Sequence, residues 1–297
     1  MQKSMMLIVN PNAGKGGYKY HLAQVLEVFC GGGFTPTVYF TRRKDNGAEL
    51  VHRYAENYDL VVCLGGDGTL SEIVGGMMRL DQERRRPIGY IPLGTANDVA
   101  RTLGLSNKPQ EAAKQIVAGK PIVYDVGEFG AGNFFTYVAA FGAFTEVSYA
   151  TPQEYKQMLG HMAYMLEGIR SLSKIKDYRA IVEYDGGVIE DDFIFGGVTN
   201  STSVAGLVRL DSSIVSLSDG MFEVLLVRKP QDMIDLREII TAVLSSDFSG
   251  PNILFLRSRE VRIMFPEPVA WTRDGEDGGT HRDVYIVNRH PGVEIIV

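Results

Sequence analysis

Apolar and polar positions follow two different rhythms along this chain, and the change comes near Ile122. Before it, mainly apolar, strand-like segments near 4–9, 36–41, 60–64 and 88–91 alternate with helical patterns near 18–29, 47–57, 70–80 and 109–118. Runs of the first kind read as buried strands and stretches of the second as helices. Strand and helix in alternation predict a parallel sheet wrapped by helices over residues 1–125. From Ile122 the segments Ile122–Phe129, Phe134–Phe141, Tyr178–Tyr184, Val188–Val198, Met221–Val227 and Val261–Phe265 are β-type, separated by turns such as Asp185-Gly186-Gly187. That pattern predicts an antiparallel, β-rich second domain over 126–297 with one or two inserted helices. Residues 153–176 give the clearest amphipathic helix, with Tyr155, Met158, Leu159, Met162, Leu166, Ile169 and Leu172 on one stripe.

Three of the predicted strands run into loops rich in Gly, Asn, Asp and Thr. Met5–Val9 leads into Asn10-Pro11-Asn12-Ala13-Gly14-Lys15-Gly16-Gly17, Leu60–Cys63 into Leu64-Gly65-Gly66-Asp67-Gly68-Thr69-Leu70, and Ile88–Leu93 into Gly94-Thr95-Ala96-Asn97-Asp98. Glycines ahead of a helix let backbone N–H groups approach an anion, and the helix N-terminus adds a favourable dipole. In a parallel sheet such loops fall outside the carboxyl ends of the strands, where open α/β folds bind ligands. An aspartate among phosphate-binding amides repels phosphate unless a divalent cation lies between them. Asp67 therefore points to a metal-bound nucleotide. The plainer reading of one such loop is a tight turn with Asp67 as its cap. Three loops of one design favour the ligand site.

The familiar phosphate motifs do not fit. Gly14-Lys15-Gly16-Gly17 lacks the Lys-Ser or Lys-Thr of a P-loop, and Lys19 breaks the dinucleotide fingerprint. Instead the three loops resemble the nucleotide-site motifs of the diacylglycerol kinase catalytic-domain family, which includes soluble bacterial diacylglycerol kinases, related lipid kinases and sphingosine kinases. Tyr124-Asp125-Val126-Gly127, Leu159-Gly160-His161-Met162-Ala163-Tyr164, Ser218-Asp219-Gly220-Met221-Phe222 and Asp274-Gly275-Glu276 extend the likeness over nearly the whole chain. The Gly-Gly-Asp-Gly-Thr run is shared with NAD kinases and phosphofructokinases, so the specific signal is the ordered set. Ser71 departs from the asparagine usual in the family.

The resemblance implies an α/β plus mainly-β fold of the NAD kinase/diacylglycerol kinase type, with an N-terminal three-layer α/β/α nucleotide-binding domain and a C-terminal β-rich sandwich. It implies ATP- and Mg²⁺-dependent phosphorylation of a lipid hydroxyl, diacylglycerol giving phosphatidic acid. ATP would be bound by Asn10, Pro11, Asn12, Ala13, Gly14, Thr41, Gly65, Gly66, Asp67, Gly68, Thr69, Leu70, Ser71, Glu72, Thr95 and Asn97. Asp67, Asp98 and Asp125 resemble an aspartate–water–magnesium network. From the residues alone, Asp98 also reads as a helix cap and Asp125 as a strand-end turn residue. Glu276 would be the general base for the lipid hydroxyl, with Asp274 the competing candidate or orienting partner; by itself this stretch reads as an acidic surface hairpin. Asp219, with Ser216 and Met221 contributing backbone oxygen, would hold a second, structural Mg²⁺, where the bland account is a hairpin turn. The apolar run Val138–Phe144 is a candidate wall for acyl chains. The amphipathic helix reads first as packing on its own domain and second as a lipid contact. A homodimer is also implied.

Composition adds boundaries. A 297-residue chain with 45% hydrophobic and 22% charged residues is long enough for two cores. A formal net charge of −6 without a basic, aromatic-interleaved stripe argues against nucleic acid as a partner. Arg42-Arg43-Lys44 and Arg84-Arg85-Arg86 read as solvated loop faces, with membrane-surface contact the minority reading. Two cysteines, Cys30 and Cys63, suggest neither a disulfide framework nor a metal cluster and suit a reducing cytoplasm. Neither a signal segment nor a bilayer-spanning run is evident, so an enzyme acting on lipid would visit the membrane surface from solution. Two competing functions remain from the residues: an NAD kinase-like soluble kinase, and a nucleotide-binding regulator without turnover. Within lipid kinases, sphingoid bases, phosphatidylglycerol and polyprenols also present a hydroxyl.

Overall fold

The computed structural model describes residues 2–143, 176–201, 203–204, 208–209 and 215–297. The amphipathic segment 153–176 therefore lies outside the described residues except for Lys176, as does the Leu159–Tyr164 motif. The chain packs as two units. One comprises Met1–Val126, Gly132–Thr136 and Arg289–Val297; the other comprises Gly127–Ala131 and Tyr137–Asn288. The units interleave along the chain: beyond residue 125, Val126, Gly132–Thr136 and Arg289–Val297 belong to the first unit, and the last nine residues complete its sheet.

In the first unit β1 (Lys3–Val9), β2 (Phe34–Phe40), β3 (Leu60–Gly65) and β4 (Ile88–Pro92) form a parallel sheet in the order β4-β3-β1-β2. The C-terminal end of β15 (Glu276–Ile296) extends it, pairing Ile295 with Ile88 in parallel. Side chains alternate between sheet faces along each strand. Met5, Leu7, Val9, Leu60, Val62 and Leu64 meet Val25 and Phe29 of α1 (Tyr18–Gly31) and Ala112, Ala113 and Ile116 of α5 (Pro109–Ala118). α3 (Asp67–Met78) packs on β3 and on α2 (Asn46–Tyr54). β3 and β4 are buried on both faces and apolar, as is β1 from Met5 onward, which makes them legible as runs.

Several boundaries moved. α3 begins at Asp67 rather than 70, because Gly66 is its extended N-cap and the Asp67 charge suits the first turn. A short α4 (Asp98–Thr102) follows β4. Of the Arg84–Arg86 run only Arg84 is solvated: Arg85 donates to the carbonyls of Met78, Leu80 and Gly292, and Arg86 to that of Tyr58.

β5 (Pro121–Phe129) passes from the first unit into the second. The segment Phe134–Phe141, expected as one strand, is two: β6 (Phe134–Phe135) and β7 (Val138–Gly142). The backbone at the break is diverted, since the N–H groups of Tyr137 and Val138 donate to the Asp274 carboxylate. The second unit also holds β8 (Tyr178–Tyr184), β9 (Gly187–Thr199), β12 (Phe222–Arg228), β13 (Ile253–Ser258) and β14 (Glu260–Arg273). Their antiparallel order is β13-β12-β9-β7-β14-β15, with β8 joined to both β9 and β14. A separate pair, β10 (Ser203–Val204) and β11 (Val208–Arg209), stands apart. All five residues of β7 are buried, and Phe141 packs on Trp271 at 5.0 Å and on Phe265 at 4.9 Å. These side chains belong to the core of the unit; of the rest of the expected acyl wall, Ala143 is half-buried and Phe144 lies outside the described residues. α6 (Met233–Ser245), whose N-terminus is capped by Asp232, was not located by the sequence pattern.

Two substitutions probe this packing. A methyl group on Gly76 of α3 would lie 2.8 Å from Ala48 Cα, where α2 and α3 meet backbone to backbone. Gly76→Ala gains about 1 kcal/mol of helix propensity but incurs about 1–3 kcal/mol of overpacking, so chemical denaturation should show a less stable protein. Glu223 on β12 is fully buried with Arg257 Nε 3.4 Å away. Burial pushes its carboxyl up from 4.5 to about 7 against the opposing pull of Arg257. The folded state then keeps a proton that the unfolded state releases, so this contribution is full below 4.5 and is lost as pH rises through about 7. Glu223→Gln should remove on the order of 3 kcal/mol of stability loss across that interval, read from urea midpoints as a function of pH.

Candidate nucleotide site and carboxylate turn

The carboxyl ends of β1, β3 and β4 are tied to one another through backbone. Asn10 N–H donates to Leu64 O at 3.0 Å and Leu93 N–H to Gly65 O at 2.6 Å. Asn10 Nδ2 donates to Thr69 Oγ1 at 2.8 Å. A methyl group on Gly94 would lie 2.8 Å from Gly66 Cα, so these two loops touch with no room for a side chain. Gly14, at φ +55°, lies against the carbonyl of Leu93. Each glycine is thus required by a close approach or by a left-handed backbone.

Asp67 sits at this junction with 9% exposure. Its carboxylate accepts the Asp98 and Val99 N–H groups at 3.1 and 3.4 Å and the Tyr90 hydroxyl at 3.3 Å. Asp67 therefore does cap a helix, but it is α4, reached from another loop. Asp98, 5% exposed, opens α4 and takes Arg101 Nη1 at 3.1 Å. Asn97 ahead of it is left-handed at φ 51° and donates from Nδ2 to Gly94 O. Asp125, in β5, has no exposure, and its carboxylate meets His290 Nδ1 at 2.6 Å. His290 was not identified in the sequence; 165 residues separate it from Asp125, and no local motif marks it.

The remaining expected nucleotide residues divide. Asn12 is exposed, Pro11 and Ala13 are half-buried, and Asn12 N–H donates to Asn10 Oδ1. Thr95 is exposed, Gly68 and Ser71 are half-buried, and Thr69 is buried. Leu70 is fully buried, so its side chain serves the core. Thr41 is buried where its N–H continues from Val9 O at 2.9 Å. Glu72 accepts the N–H groups of Asp45 and Gly47, both at 2.9 Å, and so anchors the start of α2. Burial raises its carboxyl, with those two amides opposing.

In the second unit, Asp274-Gly275 joins β14 to β15 as a two-residue turn, with φ +48° and +75° and Arg273 paired with Glu276. That is the type I′ geometry an Asp-Gly hairpin favours. The two carboxylates differ sharply. Asp274 is 6% exposed; its carboxylate accepts Tyr137 N–H at 2.9 Å and Val138 N–H at 3.2 Å, and its own N–H donates to Val138 O. Glu276 is exposed. Asp219 also lies in this unit, where Oδ1 accepts Met221 N–H at 3.1 Å and Oδ2 meets the Arg257 guanidinium. Ser216 is half-buried beside it in sequence. With the loop's one carboxylate already facing a cationic side chain, a structural cation there rests on the resemblance alone. Among the described residues no three His, Cys, Asp or Glu side chains gather into a direct ligand set. The hard oxygen donors Asp67, Asp98 and Asp125 suit magnesium held through water.

The Asp274 arrangement yields a test. Asp274→Asn keeps the shape but replaces a charged acceptor of two buried amides; hydrogen bonds to charged groups contribute about 1.5–3 kcal/mol. A loss of that size in denaturant unfolding is expected.

The diacylglycerol kinase catalytic domain model matches residues 4–129. A diacylglycerol kinase of Bacillus subtilis (strain 168) is 32% identical over 281 residues, covering 93% of this chain and 91% of that protein. One of Staphylococcus aureus (strain MRSA252) is 31% identical over 310 aligned positions, covering 100% and 96%. Two crystal structures from Bacillus anthracis str. Sterne share the fold. One has a TM-score of 0.80 at 26% identity, covering 99% of this chain and 97% of that one. The other, of a diacylglycerol kinase, has a TM-score of 0.76 at 24% identity, covering 99% and 96%. The glycine loops, the buried aspartates and the Asp-Gly-Glu turn are thus found in a chain that belongs to the diacylglycerol kinase family.

Proposed function

We propose that this enzyme transfers the γ-phosphoryl group of ATP, supplied as its magnesium complex, to the free hydroxyl of diacylglycerol, giving phosphatidic acid and ADP. The observation that carries the reading is the backbone-locked set of three loops with buried Asp67 at their junction. Names borne by relatives along nearly the whole chain supply the acceptor.

The loops at Asn10–Gly14, Gly65–Glu72 and Thr95–Asn97, with Thr41, cradle the triphosphate with backbone N–H groups. Asp67, Asp98 and Asp125 would hold the cation through water, and its charge would offset that of the phosphates. Tyr90 and the first amides of α4 fix the Asp67 carboxylate. Glu276 accepts the hydroxyl proton as the lipid oxygen bonds to phosphorus and the bridging oxygen leaves with ADP. Asp274 is committed to the Tyr137 and Val138 amides, so it fixes the turn that presents Glu276. On this reading the first unit is a three-layer α/β/α domain, with α1 and α5 sharing one face, and the second a β-rich sandwich. The enzyme works from the cytoplasm at the membrane surface, as a homodimer. No described helix is long and apolar enough to cross a membrane.

The test is phosphoryl transfer from γ-labelled ATP to a panel of dispersed diacylglycerol, sphingosine, phosphatidylglycerol and a polyprenol, with NAD in a parallel reaction. Diacylglycerol should be the preferred acceptor. Glu276→Gln should lower kcat by roughly 10²- to 10⁴-fold while leaving the affinity for magnesium-ATP unchanged. Labelled NAD without labelled lipid, nucleotide binding without transfer, or full turnover in the Glu276 variant would each overturn the assignment concerned.

A further inference from the structure

The expected motifs include Asp125 but nothing that holds it. Asp125 is fully buried in β5, and the 2.6 Å contact from His290 Nδ1 comes from the C-terminal segment that returns to the first unit. With Asp125 ionised, as a cation site requires, the carboxylate only accepts hydrogen bonds and the ring donates from Nδ1. The imidazole is 41% exposed, so it spans the buried carboxylate and solvent.

The segment carrying it is seated firmly on both sides. Arg85 Nη1 donates to Gly292 O at 2.7 Å. A methyl group on Gly292 would lie 2.5 Å from Tyr124 O and 2.8 Å from Val126 Cγ2, the residues flanking Asp125. Ile295 pairs with Ile88, and Lys120 and Val297 exchange backbone hydrogen bonds at 3.1 Å. The imidazole is therefore delivered to one carboxylate oxygen by backbone that lies directly against β5.

We propose that His290 is a positioning residue for the nucleotide site: it fixes the orientation of Asp125 and so tunes the affinity for the cation that accompanies ATP. The inference rests on the aspartate network of the proposed function. His290 makes no contact with nucleotide or lipid in this scheme; it acts through Asp125. A purely structural pair would instead support folding without regard to the cation.

Calorimetry on the full chain separates these roles. ATP binding is measured with and without Mg²⁺ for the wild type, His290→Ala and His290→Asn, with thermal unfolding alongside. The wild type should bind ATP more tightly when Mg²⁺ is present. Loss of a group that orients a metal-site ligand weakens metal affinity roughly 10- to 100-fold. His290→Ala should weaken magnesium-ATP binding by that factor, leave metal-free ATP binding unchanged, and raise KM for magnesium-ATP more than it lowers kcat. His290→Asn, which keeps an N–H donor, should recover part of the affinity. If the wild type responds to Mg²⁺ and both variants match it, the inference fails while the kinase reading stands. Equal weakening with and without Mg²⁺, or failure of both variants to fold, makes the pair structural and likewise overturns the inference. A wild type indifferent to Mg²⁺ overturns the underlying reading and this inference with it.

Discussion

The candidate nucleotide site depends on how closely backbone can approach backbone at the carboxyl edge of the first sheet. Gly66 and Gly94 leave no space for a methyl group between them, and Asn10 and Leu93 extend the strand hydrogen bonding into the loops. This contact brings the start of α4 onto the Asp67 carboxylate. An anion accepting the first amides of a helix gains from both the hydrogen bonds and the dipole. The same residue is then a structural cap and, in the proposed function, the carboxylate offered to the cation. The two readings weighed for Asp67 do not compete, because a carboxylate offers several acceptor directions.

The second unit solves a different problem with the same residue types. A tight Asp-Gly turn sets two carboxylates two residues apart, yet one is buried and the other exposed. The left-handed backbone of Asp274 and Gly275 folds the Asp274 side chain onto the amides that begin β7. These two amides lie where the run breaks between β6 and β7. One side chain thus takes both donors at the break in an apolar run that looked continuous and gives the turn its rigidity. It also gives the two acids different surroundings, Asp274 buried on two amides and Glu276 exposed.

Legibility followed the length and range of the signals. β1, β3 and β4 and α1, α2, α3 and α5 are legible because strands buried on both faces are apolar throughout and their helices carry one apolar stripe, whereas β2 is half-buried and holds Thr35 and Thr37. The long final strand was hidden by Pro291 and Gly292 within its alternation, since proline is a poor candidate for a ladder interior. Arg85 and Arg86 read as solvated, as Arg84 is, because charge dominates any local reading. Three carbonyls, one of them that of Gly292, instead take the Arg85 guanidinium.

The sequence by itself determined the alternating architecture of the first unit, the β-rich character of the second and the identity of the glycine loops and acidic turn. These are local properties: side-chain period, turn chemistry and short motifs act over a few residues. Tertiary structure decided which aspartate caps which helix, that Glu72 anchors α2, that Leu70 serves the core, and that the last residues return to pair with β4. It alone brought His290 to Asp125. Such partnerships join positions distant in sequence, and they are set by where sheet register and close packing deliver a side chain rather than by what surrounds it along the chain.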